Sequence, residues 1–374
     1  MVTGMTNQVE RNIPLAMPQF DKEMAEAAMN ALQNERYVLG ESVCKFEDEF
    51  ARYVGAKHAV STSSGTNALQ IAFLALGIKK SDEVVTSAFS FVASANSVFH
   101  AGGTPVFADI DAKTFNVDLK KVKGRIGKRT KALLPVHLYG YPCNMSEILD
   151  LAKDHGLKVV EDACQAHGAE YAGRKTGSIG DVGCFSFYPS KNMTVCGDGG
   201  MITTDDDDVA KLAAKLRDCG RKSQYEHDVV GYTSRLNTVN AAIGRVQLKR
   251  LDEWNRKRRK VASFYDEMLS DVDGVTLPPK GDSRVVPVYH LYVIRTKRRD
   301  ELKDWLKKFG VHCGVHYPLP IPLQPIYRQL FGYKIGEFPV SELASETCLS
   351  LPIYPDLSKD QVKYICGKVQ EFLR

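Results

Sequence analysis

The stretch FSFYPSKNMTVCGDGG, Phe185 to Gly200, places a single lysine, Lys191, between an apolar run and a glycine-rich turn. A lysine there is either an ordinary surface charge or a desolvated amine with a chemical task, such as attack on a carbonyl. Three other stretches hold groups that would work with it. In STSSGTNALQ, Ser61 to Gln70, small residues turn the chain into a helix start at Gly65-Thr66. Free N–H groups at a helix start, with hydroxyls beside them, form a phosphate cradle. Taken alone, the same stretch reads rather as a plain helix capped by Ser64 or Thr66 with nothing bound, and the common nucleotide loops GxGxxG and GxxxxGK[ST] are absent. In VVEDACQAHG, Val159 to Gly168, an apolar run ends in Glu161-Asp162. An acid at the carboxyl end of a parallel strand can pair with a cationic ring nitrogen, or merely cap the next helix. In SAFSFVASANS, Ser87 to Ser97, Phe89 and Phe91 stand two apart after a strand. One of them can stack on a flat ring, although core packing is the commoner fate of a phenylalanine.

Ser186, five residues before Lys191, is a further phosphate ligand by type. A lysine, a phosphate cradle, a strand-end acid and an aromatic platform make one constellation, the one that pyridoxal phosphate needs. The lysine condenses with the cofactor aldehyde. The carboxylate keeps the pyridine nitrogen protonated, so that the ring withdraws electrons. Each element is weak alone, and their order along the chain joins them.

These groups must be held by a framework, and the pattern supplies one. Short β-branched or apolar runs at His58–Val60, Glu83–Thr86, Pro105–Ala108, Ala132–Val136, Lys158–Glu161, Cys184–Phe187 and Gly200–Met201-Ile202-Thr203 alternate with helix-like segments. Among the latter are Met145 to His155, and Asp205 to Asp218 with Asp205 as N-cap. This rhythm predicts an α/β fold with a mostly parallel central sheet sandwiched by helices. A long amphipathic helix, Thr238 to Met268, leads to a smaller α+β unit with a strand at Val288–Val293, a helix at Asp300–Phe309, a proline-rich stretch and a final helix from Ser358. The expected division is a large cofactor-binding domain over 1–250, including the N-terminal segment, and a small C-terminal domain over 251–374, and 374 residues suffice for both.

Composition narrows the function classes. A net charge of +5 suits an anionic small molecule but lacks the basic stripe of a nucleic-acid binder. The run Arg256–Lys260 reads as a solvated helix face. Nine scattered cysteines without a CxxC pair indicate neither a disulfide framework nor a metal site, and fit a reducing cytoplasm. Residues 1–15 show no secretory signal, and the run Leu69–Ile78 is too short to span a bilayer.

At these residues the sequence resembles the DegT-type sugar aminotransferases, fold-type-I pyridoxal-phosphate enzymes. The resemblance covers almost the whole chain. It includes YVLGESVCKFEDEFARYVGAKHAVSTSSGTNAL, the highly specific EDACQAHGAEYAGRKTGSIGDVGCFSFYPSKNMTVCGDGGMITT, HYPLPIPLQPIYRQL and FPVSELASETCLSLPIYPDLS. It implies that Lys191 bonds covalently to the cofactor and that Asp162 contacts the pyridine nitrogen. By the same resemblance Gln165 contacts the ring hydroxyl side or covers a ring face. Gly65, Thr66 and Ser186 bind the phosphate, and Phe91, rather than Phe89, stacks on the ring. It implies a homodimer with active sites at the interface, in which the partner's GYN-x-R segment reaches the phosphate. Here that segment reads GYTSRLN, with Thr233 in the asparagine slot and Arg235 as a substitute contact. His316 and Tyr317 stand in the motif HYP as substrate-binding candidates, and Pro322 occupies the place where many C3-acting relatives carry a second histidine. CQAH, with Gln165, resembles the C3-acting relatives instead, so the two signals disagree.

The resemblance implies transfer of an amino group from L-glutamate to a nucleotide-linked keto-sugar, a dTDP- or UDP-3-keto sugar being favoured over a C4 substrate. Related dehydratases carry histidine in place of the lysine, which argues against that activity here. An amino-acid lyase or desulfurase would need a mobile cysteine, and Cys196 reads instead as an inert thiol. A non-catalytic regulator ranks last, for want of a DNA-binding module.

Overall fold

The computed structural model describes residues 12–374. The stretch 1–11, on which most of the reading of residues 1–15 rests, lies outside the described residues. The strands are β1 (His58–Thr62), β2 (Glu83–Ser87), β3 (Thr104–Ala108), β4 (Thr130–Leu134), β5 (Lys158–Asp162), the two-residue β6 (Glu170–Tyr171) and β7 (Arg174–Lys175), β8 (Val182–Ser186), β9 (Gly200–Thr204), β10 (Val285–Val286), β11 (Tyr292–Arg295) and β12 (Cys348–Leu351). Seven of them form the central sheet in the order β1-β9-β8-β5-β4-β2-β3. All its pairings are parallel except those of β9, which is antiparallel to both β1 and β8. Six strands therefore end at one edge, and the mostly parallel sheet expected from the βαβ rhythm is present.

Successive residues of a strand face opposite sides of the sheet, and the apolar runs fill both. Val84, Ala132, Val160 and Ile202 pack under Leu69, Ile71 and Phe73 of the Gly65–Ala75 helix. Their neighbours Val85, Leu133 and Val159 pack on the other face against Met145 and Ile148 of the Met145–His155 helix. Strands buried on both faces read as continuous apolar runs, which is why they stand out in the sequence.

Local details depart from the sequence reading where backbone chemistry intervenes. β4 stops before Pro135, which has no N–H to give a ladder. The N-cap of the Asp207–Arg217 helix is Asp206, whose side chain accepts from the amides of Asp208 and Val209. Asp205 instead accepts from the amide of Lys57. β11 begins only at Tyr292, because Val288 and Leu291 spend their amides on Gly140 and Tyr139.

The Thr238–Leu269 helix crosses the expected division at 250/251 without a break. Its first half packs Ala241, Leu248 and Leu251 with Phe46, Phe50 and Phe187. Its second half packs Val261, Tyr265 and Leu269 with β11, β12 and the Lys359–Leu373 helix.

Glu161, the penultimate residue of β5, is fully buried and structural. It accepts from the amides of Gly177 (2.9 Å), Ile179 (2.7 Å) and Gly180 (2.8 Å), and from His137 Nε2 (2.9 Å). The amide of Cys143 donates to His137 Nδ1 (3.0 Å), so the imidazole proton sits on Nε2. Glu161→Gln replaces an acceptor oxygen by an NH₂ group facing N–H donors. The expected cost is about 3 kcal/mol or more of folding stability, read as a lowered urea midpoint of the apoprotein; an unchanged midpoint contradicts this role.

Candidate active site

The common edge of the six parallel strands brings distant stretches together. β1 leads through Ser63 to Ser64, whose Oγ caps the Gly65–Ala75 helix by accepting from the amide of Asn67 (3.2 Å). Ser64, not Thr66, is therefore the cap. The amides of Gly65 and Thr66, at the first turn, make no protein hydrogen bond among the described residues. They open, with Ser186 at the end of β8, onto a cavity of about 480 Å³. Glycine is required at position 65: a Cβ would stand 2.6 Å from Ser186 Cβ and 2.9 Å from Cys164 Sγ. The helix start thus lies against the strand end, and two free amides and the Ser186 hydroxyl belong to residues of one cavity wall, as an anion site requires.

Asp162 closes β5 and lines the same cavity. Its Oδ2 accepts from Ser94 Oγ (2.7 Å) and its Oδ1 from the amide of Cys164 (3.2 Å). The carboxylate is 5% exposed, and among the described residues it has no ion-pair partner. A buried carboxylate held only by neutral donors calls for a cation. A protonated pyridine nitrogen is such a cation, and the free amides beside Ser186 suit its phosphate. The residues present therefore fit pyridoxal phosphate.

Lys191 follows from β8 through the turn at Pro189, its amide bonded to the carbonyl of Tyr188 (2.8 Å), and it lines the cavity. Burial lowers the pKa of its amine, while Cys164 and Asp162 act in the opposite direction. Gln165 is buried and fixed at both ends of its amide: Oε1 accepts from the amide of Tyr139 (2.9 Å) and Nε2 donates to the Tyr317 hydroxyl (3.2 Å). Phe91 is 54% exposed on the cavity wall, 6.1 Å from the Tyr317 ring. Phe89 is fully buried and stacks on Phe115 in the core. His316 lines the cavity with Nδ1 against Ser350 Oγ (2.9 Å), and burial lowers its pKa to about 4.

Thr233 and Arg235 do not join this group. Arg235 Nη1 pairs with Asp218 Oδ1 (2.5 Å), and Thr233 Oγ1 lies 3.3 Å from Cys219 Sγ, both away from the lining of the cavity. Pro322 is buried in the turn Ile321–Leu323 and does not line the cavity either. Cys196 lies outside the lining as well, and burial raises its thiol pKa. Ser94 and His290 are among the lining residues that escaped the sequence reading. Ser94 lay within the stretch read only for its aromatics, and its spacing from Asp162 carried no signal. His290 lay in an apolar run read as a strand. Among the described residues no group of side chains could hold a metal ion, and no helix is long and apolar enough to cross a membrane.

Comparison with known proteins fits this geometry. A pleiotropic regulatory protein of Geobacillus stearothermophilus is 43% identical over 95% of this chain and 96% of its own. The dTDP-3-amino-3,4,6-trideoxy-alpha-D-glucose transaminase of Streptomyces venezuelae is 40% identical over 96% of this chain and 95% of its own. The crystal structure of S. venezuelae DesV superposes with a TM-score of 0.92 at 40% identity, covering 94% of each chain. The cofactor is pyridoxal 5'-phosphate. The model of the DegT/DnrJ/EryC1/StrS aminotransferase family matches residues 18–370, and the chain belongs to that family.

Proposed function

We propose that this aminotransferase moves an amino group from L-glutamate to C3 of a nucleotide-linked keto-sugar. The observation that carries the reading is the convergence of Lys191, Asp162, Ser186 and the free amides of Gly65 and Thr66 on one cavity. The 40% identity to a transaminase named for a dTDP-3-amino sugar supports the sugar class. Gln165 favours C3, since it is fixed against Tyr317 inside the cavity, whereas Pro322 lies outside its lining and carries no contrary weight.

When bound, the cofactor supplies a conjugated ring that withdraws electrons from the carbon bearing the amino group. Asp162 would pair with the ring nitrogen and keep its proton there. Gly65, Thr66 and Ser186 would hold the phosphate, Phe91 would stack on the ring, and Gln165 would meet its hydroxyl side or cover a ring face. Lys191 Nζ would hold the cofactor at its aldehyde, and the same amine is the group on the cavity wall that would carry a proton at the substrate carbon. An ordinary lysine, with pKa about 10.4, is too basic to be free of its proton near neutrality; burial moves Lys191 the needed way. His316 and Tyr317 border the space left for the sugar. The two substrates use the site in turn, so the kinetics are ping-pong. Nine free cysteines fit a reducing cytoplasm. The placement of Thr233 and Arg235 outside their own chain's cavity suits a homodimer in which they serve the partner's site.

A panel of nucleotide keto-sugars with L-glutamate, read by mass spectrometry, tests the reading, and no aminated C3 product from any of them overturns it. Lys191→Ala and Lys191→Arg should lose both the visible absorbance of the bound cofactor and all transamination; full turnover in either contradicts the assignment. Asp162→Asn should lower kcat much more than it weakens sugar binding, because electron withdrawal matters most in the transition state. A change confined to KM would count against that role. The lowered Lys191 pKa means that the proton leaves at a lower pH than from an ordinary lysine. The rise of kcat with pH should therefore be complete below the ordinary lysine range, and a rate still climbing through about pH 10 excludes Lys191 as the perturbed base.

A further inference from the structure

His290 lines the cavity, yet it is 6% exposed, and its Nδ1 is enclosed without a hydrogen-bond partner. Among the described residues no side chain or carbonyl bonds its Nε2 either. A histidine left so bare is not placed by its own ring; its backbone places it. Asn192, next to Lys191, donates from Nδ2 to the carbonyl of Val288 (2.9 Å). The amides of Val288 and Leu291 bond the carbonyls of Gly140 (3.0 Å) and Tyr139 (3.4 Å). Gly140 lies so close that a Cβ there would stand 3.0 Å from the His290 amide nitrogen.

From the other side comes Arg258, 3% exposed and without a carboxylate partner among the described residues. Its Nη1 donates to the carbonyls of Tyr289 (3.3 Å), His290 (3.5 Å) and Ile353 (3.0 Å). A buried guanidinium without a counter-ion is costly, and this one is spent on fixing the segment that carries His290. The charged or titratable groups acting on the ring are Lys191, Arg258, His316 and His167, and together with burial they keep it neutral. In a neutral imidazole one nitrogen carries the proton and the other a lone pair. A buried lone pair without a partner is better tolerated than a buried N–H without one. The enclosed Nδ1 is therefore the bare acceptor, and Nε2 carries the proton.

Lys191 is the one lysine or arginine among the described residues that line the cavity. If an amino acid and a sugar enter in turn, the group beside the reacting carbon is a carboxylate in one half-reaction and a hydroxyl or carbonyl in the other. An arginine there would be left buried and unpaired whenever the sugar is bound, at a cost that a neutral donor does not carry. We propose that His290 is a substrate-binding residue that donates its Nε2–H to the amino donor's carboxylate in one half-reaction and to a sugar oxygen in the other, with Arg258 as its positioning residue. This rests on the two-substrate reading given above.

The test separates the half-reactions in single-turnover absorbance experiments on the holoenzyme. His290→Leu should slow both, by about tenfold to a hundredfold in the second-order rate constant, with the visible absorbance and affinity of the cofactor unchanged. His290→Gln, which keeps a donor at similar reach, should restore most of the loss. Rates unchanged in both half-reactions, or a loss explained by weaker cofactor binding, overturn the proposal. Nitrogen-15 spectra of the wild-type holoenzyme provide a readout independent of turnover and of variant folding. They should show His290 protonated on Nε2 at neutral pH, with that nitrogen shifted by added glutarate, an unreactive dicarboxylate. A proton on Nδ1, or no shift, rejects the assignment. Arg258→Lys should reproduce part of the His290→Leu effect on both half-reactions and restore nothing when combined with it; independent, additive losses would remove Arg258 from the role. If the wild-type enzyme reacts with L-glutamate but with no keto-sugar, the sugar reading fails while the glutamate half-reaction still judges His290.

Discussion

A negative charge buried without a positive one is the constraint on which this site depends. Asp162 is almost enclosed, and its two oxygens are met by a serine hydroxyl and a backbone amide, both neutral. Hydrogen bonds of this kind orient a carboxylate but do not neutralise it, and low-dielectric surroundings make the missing cation more costly, not less. Lys191 is near enough to be affected by the charge, but its own burial pushes it toward the neutral amine. The two groups are therefore poorly suited to satisfy each other. A protonated pyridine nitrogen would resolve both problems at once, since it would bring the cation to Asp162 and leave the amine free for covalent chemistry.

That pairing works only if chain segments more than a hundred residues apart arrive at one edge. The sheet provides this by direction rather than by specific contacts. β1, β2, β5 and β8 all end on the same side, so the helix start at Gly65, the aromatic at Phe91, the acid at Asp162 and the turn to Lys191 follow from strand polarity. β9, the reversed strand, delivers no group to the edge; it brings the chain back after the glycine-rich turn beyond Lys191. Glu161 shows how closely the strand end is divided in labour. One residue before the ligand-facing Asp162, it points to the other face and anchors the loop 177–180.

Much of this was legible in the sequence because it is written in local patterns. Buried strands leave unbroken apolar runs, glycine next to hydroxyls marks a helix start, and Lys191 stands alone at a turn. Even so, Glu161 and Asp162 are indistinguishable as text; the alternation of the strand separates them, and its phase depends on the packing. Phe89 and Phe91 stand two apart beyond the end of β2, where strand alternation does not separate them; the turn of the chain there buries the first and leaves the second on the cavity wall. Ser94 and His290 were missed because their roles are set by what folding brings near them: Ser94 meets Asp162 across 68 positions of chain, and His290 is placed through carbonyls, which any residue has. Pro322, which takes the place of the second histidine, is buried in a turn away from the lining of the cavity.

Charge also bears on the proposed dimer. A phosphate with close to two negative charges would meet, from this chain, two amides, one hydroxyl and a helix N-terminus worth about half a positive charge. In the proposed role Lys191 cannot be added to that sum, because its amine would be committed to the aldehyde end of the cofactor. The deficit calls for a cation from elsewhere, and in the proposed dimer Arg235 of the second copy is the residue of that kind in the segment expected to reach across. Its pairing with Asp218 within its own chain, at 22% and 13% side-chain exposure, does not remove it from consideration. A partly exposed ion pair contributes only about 1 kcal/mol, and a guanidinium has donors on two further nitrogens. Arg235 can keep Asp218 on one side and meet a phosphate on the other, which a threonine at position 233, with one hydroxyl and no charge, cannot do. On physical grounds the arginine, not the threonine in the asparagine slot, is the part of GYTSRLN that can balance the cofactor's charge.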